Sequence, residues 1–300
     1  MRRVFKKILC PVDFSDYSRL ALRYAAALSQ ENEAPLVICH SVPDLSKEIS
    51  YLEGNHVETV REALVSNARE KLDLFVGPRV EANKIIGEGN AAEIILQTVK
   101  RTGCDLIVMG THGHSGYERY FMGSVTNKIL HKSTVPVLTV CRQTHHFIHE
   151  KQTRPVELKR ILCALDYEES SRNVAKLAVE IGQMYEAEII FFHSVPHADA
   201  NAWPDQKNWV KDKLQEFVKT SEDDLCTVKF LVHAGDPVRG IIEIVSGNEI
   251  DLVVMGHHSR TPGEELFLGS VAKRVLTNAI CPVLIARSSL DLRSATLNLA

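Results

Sequence analysis

Short apolar runs alternate with amphipathic segments along the chain, and the first half sets the pattern. The run 7–12 is apolar and ends in a polar cluster, which predicts a buried parallel strand. The segment 15–29 then carries apolar residues at helical spacing, with Ser15 or Asp16 as its N-cap. The same periodicities predict further strands over 36–40, 80–87, 106–109 and 135–141, and further helices over 56–75, 91–100 and 124–131.

The second half repeats the first. The segment HSVP at 40–43 returns intact at 193–196, an offset of 153 (193 − 40), and Asp13 recurs as Asp166 at the same offset. Beyond that, Gly110 matches Gly256 and Gly123 matches Gly269, both at an offset of 146 (256 − 110 and 269 − 123). The chain is therefore two fused copies of one domain, and the first carries about seven extra residues after its second strand.

This organisation predicts a fold and a set of boundaries. Strands alternating with helices imply right-handed crossovers, so each copy is expected to form an α/β domain with an open five-stranded parallel sheet and helices on both faces. We expect domain 1 over 1–142, a polar linker over 143–157, domain 2 over 158–288 and a C-terminal tail over 289–300. Ligands of such sheets bind beyond the carboxyl ends of the strands.

Composition narrows the range of functions. The 300 residues carry a net charge of −3, which argues against a nucleic-acid partner bound through a broad basic face. No signal-peptide pattern opens the chain and no apolar run approaches membrane-spanning length, so a membrane partner is not expected. The seven cysteines form no CxxC pair and are interpreted as reduced core residues of a cytoplasmic protein.

A glycine-rich segment after the fourth strand carries the chemistry. Gly110, Gly113 and Gly123 let the backbone approach a ligand or adopt positive φ, and His112 adds a side chain that can carry positive charge. Gly123 and Ser124 open a helix, whose first amides attract an anion such as phosphate. The alternative is structural: the glycines turn a loop and Ser124 caps a helix. The full spacing, G-x2-G-x9-G-S between a strand and a helix, favours nucleotide binding.

That spacing, together with the opening segment FKKILCPVDFS at 5–15, resembles the ATP-binding branch of the universal stress protein family. The resemblance covers both copies and implies two universal stress protein domains with strand order 3-2-1-4-5. It also implies an adenine nucleotide, ATP with or without Mg²⁺, between strands one and four of the first copy, and a role in stress response. The site residues it implies are Pro11, Val12, Asp13, Ser41, Val42, Met109, Gly110, His112, Gly113, Gly123, Ser124, Val125 and Thr126.

Two of these positions carry an alternative or a departure. Asp13 precedes a helix, where aspartate often caps amides, so capping and nucleoside contact both stay open. Ser41 stands where ATP-binding relatives often have an aliphatic residue, and Val42 could replace it in the adenine pocket.

The second copy retains only part of the pattern. Ser259 replaces the middle glycine, Pro262 removes a backbone donor, and Leu165 replaces a valine. The candidate residues of this weaker site are Leu165, Asp166, Gly256, Ser259, Gly269, Ser270 and Val271.

The functional expectation is ligand-dependent regulation rather than fast catalysis, because the sequence offers no catalytic set. The alternatives are an interaction scaffold of the same fold that binds no nucleotide, and a slow ATP hydrolase. The two copies are expected to pair within the chain, with a homodimer as the other arrangement. His145 and His149 in the linker have spacing that suits a metal, but solvated histidines are the preferred interpretation.

Overall fold

The structure is a computed structural model. It describes residues 3–44, 55–111, 122–141, 147–148, 156–168, 171–196, 202–218, 226–257 and 268–286, and only the backbone of 55–57. Among these residues, no helix combines the length and the hydrophobicity needed to cross a membrane.

The described part of the first copy contains five strands and four helices, in the order expected from its periodicity. Helix α1 is capped at Ser15, whose hydroxyl accepts a hydrogen bond from the backbone N–H of Ser18, and this settles the N-cap alternative. The elements are β1 Ile8–Pro11, α1 Asp16–Asn32, β2 Leu36–Val42, α2 Asn55–Val76, β3 Asn83–Glu88, α3 Ala91–Thr102, β4 Leu106–Gly110, α4 Ser124–Lys132 and β5 Val137–Val140.

The second copy repeats the order of strands and helices. Its second helix is shorter than that of the first copy, 16 residues against 22, in the region where the repeat offset predicts extra residues in copy 1. The elements are β6 Arg160–Ala164, α5 Ser171–Tyr185, β7 Glu188–Val195, α6 Trp203–Val218, β8 Val228–Ala234, α7 Pro237–Gly247, β9 Leu252–Gly256, α8 Ser270–Asn278 and β10 Val283–Ala286.

All ten strands form one continuous sheet, in the order β3-β2-β1-β4-β5-β10-β9-β6-β7-β8. Within each copy the pairing is parallel and the order is 3-2-1-4-5, which confirms the predicted fold. The copies meet where β5 pairs with β10 in antiparallel register, Val137 opposite Ile285 and Thr139 opposite Val283. The fifth strand of each copy, an edge in an isolated domain, is thereby covered by the other copy.

The hydrophobic core lies in two layers, one on each face of the sheet, because side chains alternate along every strand. In β1, Ile8 and Cys10 face the layer under α1, α2, α5 and α6, while Leu9 faces the layer under α3, α4, α7 and α8. Each layer contains residues of both copies, so each layer of the core runs without a break from one copy to the other across the antiparallel seam.

The segment that the sequence predicts as a polar linker contributes to the core. Phe147, Ile148 and Val156 are buried, and Ile148 pairs with Val156 in an antiparallel bridge. The Phe147 ring packs edge-on against Tyr24 of α1, with 4.9 Å between ring centroids. The prediction of a polar linker failed at these positions because polar and charged residues dominate the composition of 143–157.

Candidate functional site

A cavity of about 390 Å³ opens in the first copy at the carboxyl ends of β1, β2 and β4. The N-terminal turns of α3 and α4 form its other wall, so it lies on one face of the sheet beside the central strands. This is the position at which parallel α/β sheets bind ligands. The predicted residues that line it are Pro11, Val12, Asp13, Ser41, Met109, Gly110, Gly123, Ser124, Val125 and Thr126.

Three other predicted residues do not belong to this described lining. Val42 is buried, 6% exposed, and does not line the cavity. The next residue along a strand points to the opposite face, so Ser41 and Val42 cannot both face the same space. His112 and Gly113 lie outside the described residues.

The N-terminus of α4 is anchored to the end of β4 on the cavity wall. Gly123 donates its backbone N–H to the carbonyl of Thr111 at 2.8 Å, and the Thr126 hydroxyl donates to the carbonyl of Gly110 at 2.9 Å. The N-cap residue Gly123 has no side-chain cap hydrogen bond, and its φ of −54° is open to any residue. Glycine here therefore has a different use: it leaves the first amides of α4 uncovered by a capping side chain.

Gly110 serves packing. A Cβ built on Gly110 would lie 2.8 Å from Cβ of Tyr17 and 3.1 Å from its backbone carbonyl carbon and oxygen. The first turn of α1 thus rests directly on the end of β4. The sequence predicted that this glycine admits a ligand or takes positive φ. Gly110 is not among the glycines with positive φ, and although it lines the cavity, it is also in close contact with a helix.

Asp13 supports the cap of α1 by binding Ser15, the N-cap residue, and does not itself cap the helix. Its Oδ1 accepts hydrogen bonds from the backbone N–H of Ser15 at 3.0 Å and from the Ser15 hydroxyl at 2.5 Å. Ser15 in turn caps α1 through Ser18. Asp13 nevertheless also lines the cavity, so the capping turn holds its carboxylate in a fixed position at the mouth of β1.

The turn after Asp13 is strained in both copies. Phe14 has a φ of 66° and Tyr167, its counterpart 153 residues later, has a φ of 65°. Each ring packs on the histidine at the end of the neighbouring strand: Phe14 on His40 at 4.3 Å and Tyr167 on His193 at 4.2 Å between centroids. Positive φ in bulky residues persists where surrounding contacts hold it, often beside functional sites.

The two strand-end histidines bind the backbone of the central strands. His40 donates from Nδ1 to the carbonyl of Val12 at 2.8 Å, and His193 makes the same bond to Leu165 at 2.8 Å. Burial lowers the pKa of His193, and the hydrogen bond to Leu165 and the charge of Asp166 oppose that shift. These bonds fix the floor of the site between β1 and β2 and its equivalent in copy 2.

Sequence reasoning missed part of the cavity wall. Ser18, Cys39, His40, Ala91, Ile94 and Ile95 also line it. Asn90 caps α3 through the N–H groups of Ala92 and Glu93, which fixes where this helix begins against the sheet. A Cβ on Gly87 would lie 2.5 Å from Cγ2 of Ile94, so α3 packs tightly on β3. Asn90 and Gly87 indicated in the sequence where α3 begins and where it packs closely on a strand. The contact between α3 and the site depends on tertiary packing, which the sequence pattern does not show.

The second copy differs at the points where the first copy builds its cavity. Gly256 and Met255 end β9 as Gly110 and Met109 end β4. Among the described residues, however, a Cβ on Gly256 would meet only Cγ2 of Val174, at 3.6 Å. Ala272 stands in the place of Thr126 and brings no hydroxyl to the carbonyl of Gly256.

Two features of copy 2 do match copy 1. Gly269 opens α8 without a side-chain cap bond, at a φ of −55°. Asp166 accepts hydrogen bonds from the Glu168 amide and the Ser171 hydroxyl. Leu165 is buried, Ser270 is exposed, Val271 is half-buried, and Ser259 lies outside the described residues.

A larger cleft, of about 760 Å³, lies elsewhere in copy 2. It is lined by Arg160, Glu188 and Val228, the first residues of β6, β7 and β8, and so lies at the amino ends of these strands. Charges of both signs surround it. Because parallel α/β sheets bind ligands at the carboxyl ends, the smaller cavity of copy 1 is the candidate site.

Comparison with known proteins identifies the family. The model of the universal stress protein family matches residues 5–140 and again 157–287. The universal stress protein YxiE of Bacillus subtilis is 34% identical over 150 residues, covering 46% of this chain and 99% of its own length. A universal stress protein of Mycolicibacterium smegmatis is 24% identical over 302 residues, covering 93% of this chain and 96% of its own.

Solved structures show the same architecture over the full length. The crystal structure of a universal stress protein from Archaeoglobus fulgidus, 18% identical, covers 95% of this chain and 96% of its own with a TM-score of 0.64. The duplicated sequence, the strand order of each copy and the two family matches lead to one conclusion. The chain belongs to the universal stress protein family and carries the family's domain twice.

Proposed function

We propose that the first copy binds an adenine nucleotide, ATP, in the cavity between β1 and β4, and that the bound nucleotide regulates the protein. The observation that carries the proposal is the pairing of two chemistries in one space. An apolar wall of strand and helix side chains faces the uncapped N-terminus of α4 across a single cavity. A nucleotide has the same two ends, a flat base and an anionic polyphosphate.

The size of the cavity suits such a ligand. Its volume of about 390 Å³ lies within the usual range for small-molecule sites, roughly 300–1,000 Å³.

We assign the base to the wall between β2 and α3. Cys39, Ile94 and Ile95 supply apolar surface there, and the Ser41 hydroxyl supplies a group able to donate to or accept from a base edge. Asp13, held by Ser15, lies at the end of β1, between this wall and β4. Its carboxylate is an acceptor for the hydroxyls of a ribose.

The phosphates belong at α4. The amides of the first helical turn carry partial positive charge, and Gly123 provides no side chain to satisfy them. The bonds from Gly123 to Thr111 and from Thr126 to Gly110 hold this terminus against β4. Mg²⁺, where present, would be carried by the phosphates as their counter-ion. We assign no residue to proton transfer, and ATP acts here as a regulatory ligand.

A pair of matched substitutions tests the proposal. Ser124→Asp puts a negative charge at the first position of α4, where it favours the helix by about 0.3–1 kcal/mol but repels phosphate. Ser270→Asp makes the same change at α8, where both the exposure and the N-cap geometry match. Titration calorimetry with ATP, with and without Mg²⁺, should give wild-type affinity for Ser270→Asp and at least tenfold weaker binding for Ser124→Asp. Thermal unfolding should show that both variants are folded.

The outcomes separate the candidate functions. Wild-type protein that binds no ATP below about 1 mM would remove the nucleotide proposal and leave the scaffold function. If both variants lose ATP affinity equally, the added charge repels ATP at a distance. If both keep wild-type ATP affinity, the phosphates bind elsewhere. Phosphate release from ATP well above background, lost in Ser124→Asp alone, would establish the slow hydrolase.

A further inference from the structure

The antiparallel seam between the copies brings two cysteines, Cys141 and Cys281, close together. In the register of β5 and β10, Thr139 faces Val283 and Leu138 faces Leu284. Continuing that register by two residues on each chain places Cys141 opposite Cys281. Cys141 directly follows Val140, the last residue of β5, and Cys281 lies two residues before Val283, the first residue of β10.

Distances from the Cys141 side chain show that the two segments are still adjacent beyond the ends of β5 and β10. The Cys141 Sγ lies 4.0 Å from the backbone carbonyl oxygen of Cys281 and 3.6 Å from that of Ala279. Directly opposed residues of antiparallel strands have Cα atoms about 4.5–5.5 Å apart. A disulfide requires a Cα separation of about 4.4–6.8 Å, a range that includes the spacing expected if the register continues to this pair.

The pair joins an accessible thiol to a protected one. Cys141 is half-buried, whereas Cys281 is only 1% exposed. Burial raises the pKa of the Cys281 thiol, with a smaller contribution from Cys141. Cys141 is therefore the group that a dissolved oxidant reaches first, and Cys281 reacts only with a partner already beside it.

We propose that Cys141 and Cys281 are a redox modification site, at which a hydroperoxide converts the two thiols into a disulfide that joins the two copies. The Cys141 sulfur attacks the peroxide, the O–O bond breaks, and a sulfenic acid and one water form. The Cys281 sulfur then attacks the sulfenic sulfur; the S–S bond forms, the S–O bond breaks, and the leaving hydroxide takes the thiol proton as a second water. Two thiols lose two electrons, and one hydrogen peroxide becomes two waters.

The site exists only once, although the seam has two equivalent ends. The repeat offset of 146 relates Cys281 to Val135 and Cys141 to Arg287, so the other end of the seam has no thiol pair. The bond therefore closes one end of the β5–β10 seam and links residues 140 positions apart (281 − 141). Cross-linking so distant a pair restricts the unfolded chain and should raise resistance to denaturant until a dithiol reduces the bond.

Peptide mapping tests the site on the full chain. Trypsin cleavage after Lys132, Arg142, Arg274 and Arg287 gives the peptides 133–142 and 275–287, each with a single cysteine. After hydrogen peroxide treatment of folded protein and blocking of remaining thiols, the two peptides should appear as one cross-linked species. The free-thiol count should fall from seven to five, and dithiothreitol should restore it.

The control is Cys141→Ser, which alters a half-buried position and should keep its thiol count at six under the same peroxide treatment. Non-reducing electrophoresis should show the oxidised wild type as a monomer. In a separate urea titration, the oxidised wild type should unfold at a higher urea concentration than the reduced protein. A thiol count that stays at seven would overturn the site. So would Cys141 oxidised to sulfinic acid without a cross-link, a disulfide between two chains, or loss of thiols in Cys141→Ser equal to that in wild type.

Discussion

Replacing Gly110 by alanine should destabilise the chain, while the same change at the equivalent Gly256 should not. In copy 1 the new Cβ would lie 2.8 Å from Cβ of Tyr17 and 3.1 Å from two of its backbone atoms. No rotation of the tyrosine side chain moves these atoms. The first turn of α1 would have to retreat from β4 by more than half an ångström (3.4 − 2.8 Å) to reach a tolerable distance.

The size of the effect follows from that forced movement. Overpacking of this kind costs about 1–3 kcal/mol, and we expect the upper part of the range because α1 also carries the Ser15 cap and its bond to Asp13. In copy 2 the new Cβ would meet Cγ2 of Val174 at 3.6 Å, an ordinary contact. There the loss of unfolded-state freedom should stabilise the chain by about 0.4–1 kcal/mol.

Urea unfolding followed by far-ultraviolet circular dichroism measures both variants against wild type. The Gly110→Ala midpoint should fall and the Gly256→Ala midpoint should stay level or rise. Equal shifts in the two variants would refute the packing argument, since the two glycines occupy the same place in the repeat. A wild-type midpoint for Gly110→Ala would show that α1 does not rest on β4 as described.

Two further predictions concern the second copy, and the first of them uses the equivalent position in copy 1 as its control. Glu249 has a φ of 49° where copy 1 has Gly103 at 69°. Glu249→Gly should therefore raise the free energy of unfolding, measured by urea titration, by about 1 kcal/mol, and Gly103→Glu should lower it. If Glu249→Gly brings no gain in stability, the backbone at Glu249 is not strained. The folded-state pKa of His193 lies below its ordinary value of 6.5, so the unfolded chain binds more protons than the folded chain. The stability that neutral His193 contributes is therefore complete above pH 6.5 and is lost as the pH falls below that value. His193→Asn, which keeps a donor for the Leu165 carbonyl, should flatten that part of the pH–stability curve; an unchanged curve would exclude His193 as its source.

Much of the fold could be predicted from the sequence because its patterns are local. The apolar runs at 7–12 and 106–109 correspond to β1 and β4. Ser15 caps the start of α1 and Gly103 caps the end of α3, as their residue types favour. The strand predicted at 80–87 begins instead at Asn83. Its start is set by its partner, because pairing with β2 begins where Val37 meets Asn83.

The antiparallel seam could not be derived in the same way. A buried fifth strand is equally consistent with pairing inside the chain and with a homodimer, and both stayed open at the level of sequence. The structure forms the internal seam, with Leu138 opposite Leu284. Neither hydrophobic pattern nor spacing shows that Cys141 comes to face Cys281.

The candidate site was predicted in outline, and the roles of single residues were not. The glycine pattern led to the end of β4, yet Gly110 packs on Tyr17 and Gly123 has ordinary negative φ. The positive φ of Phe14 carries no sequence signal in a bulky residue. The α3 wall, with Ile94 and Ile95, depends on how a helix packs across the sheet, which local patterns do not specify.

The most direct test is a crystal structure of the full chain grown with ATP. The proposal predicts density in the first copy, with the base against Cys39 and Ile94, the ribose beside Asp13, and the phosphates at the amides of Ser124 and Val125. A cavity that stays empty at saturating ATP, or a nucleotide bound anywhere else in the chain, would contradict it.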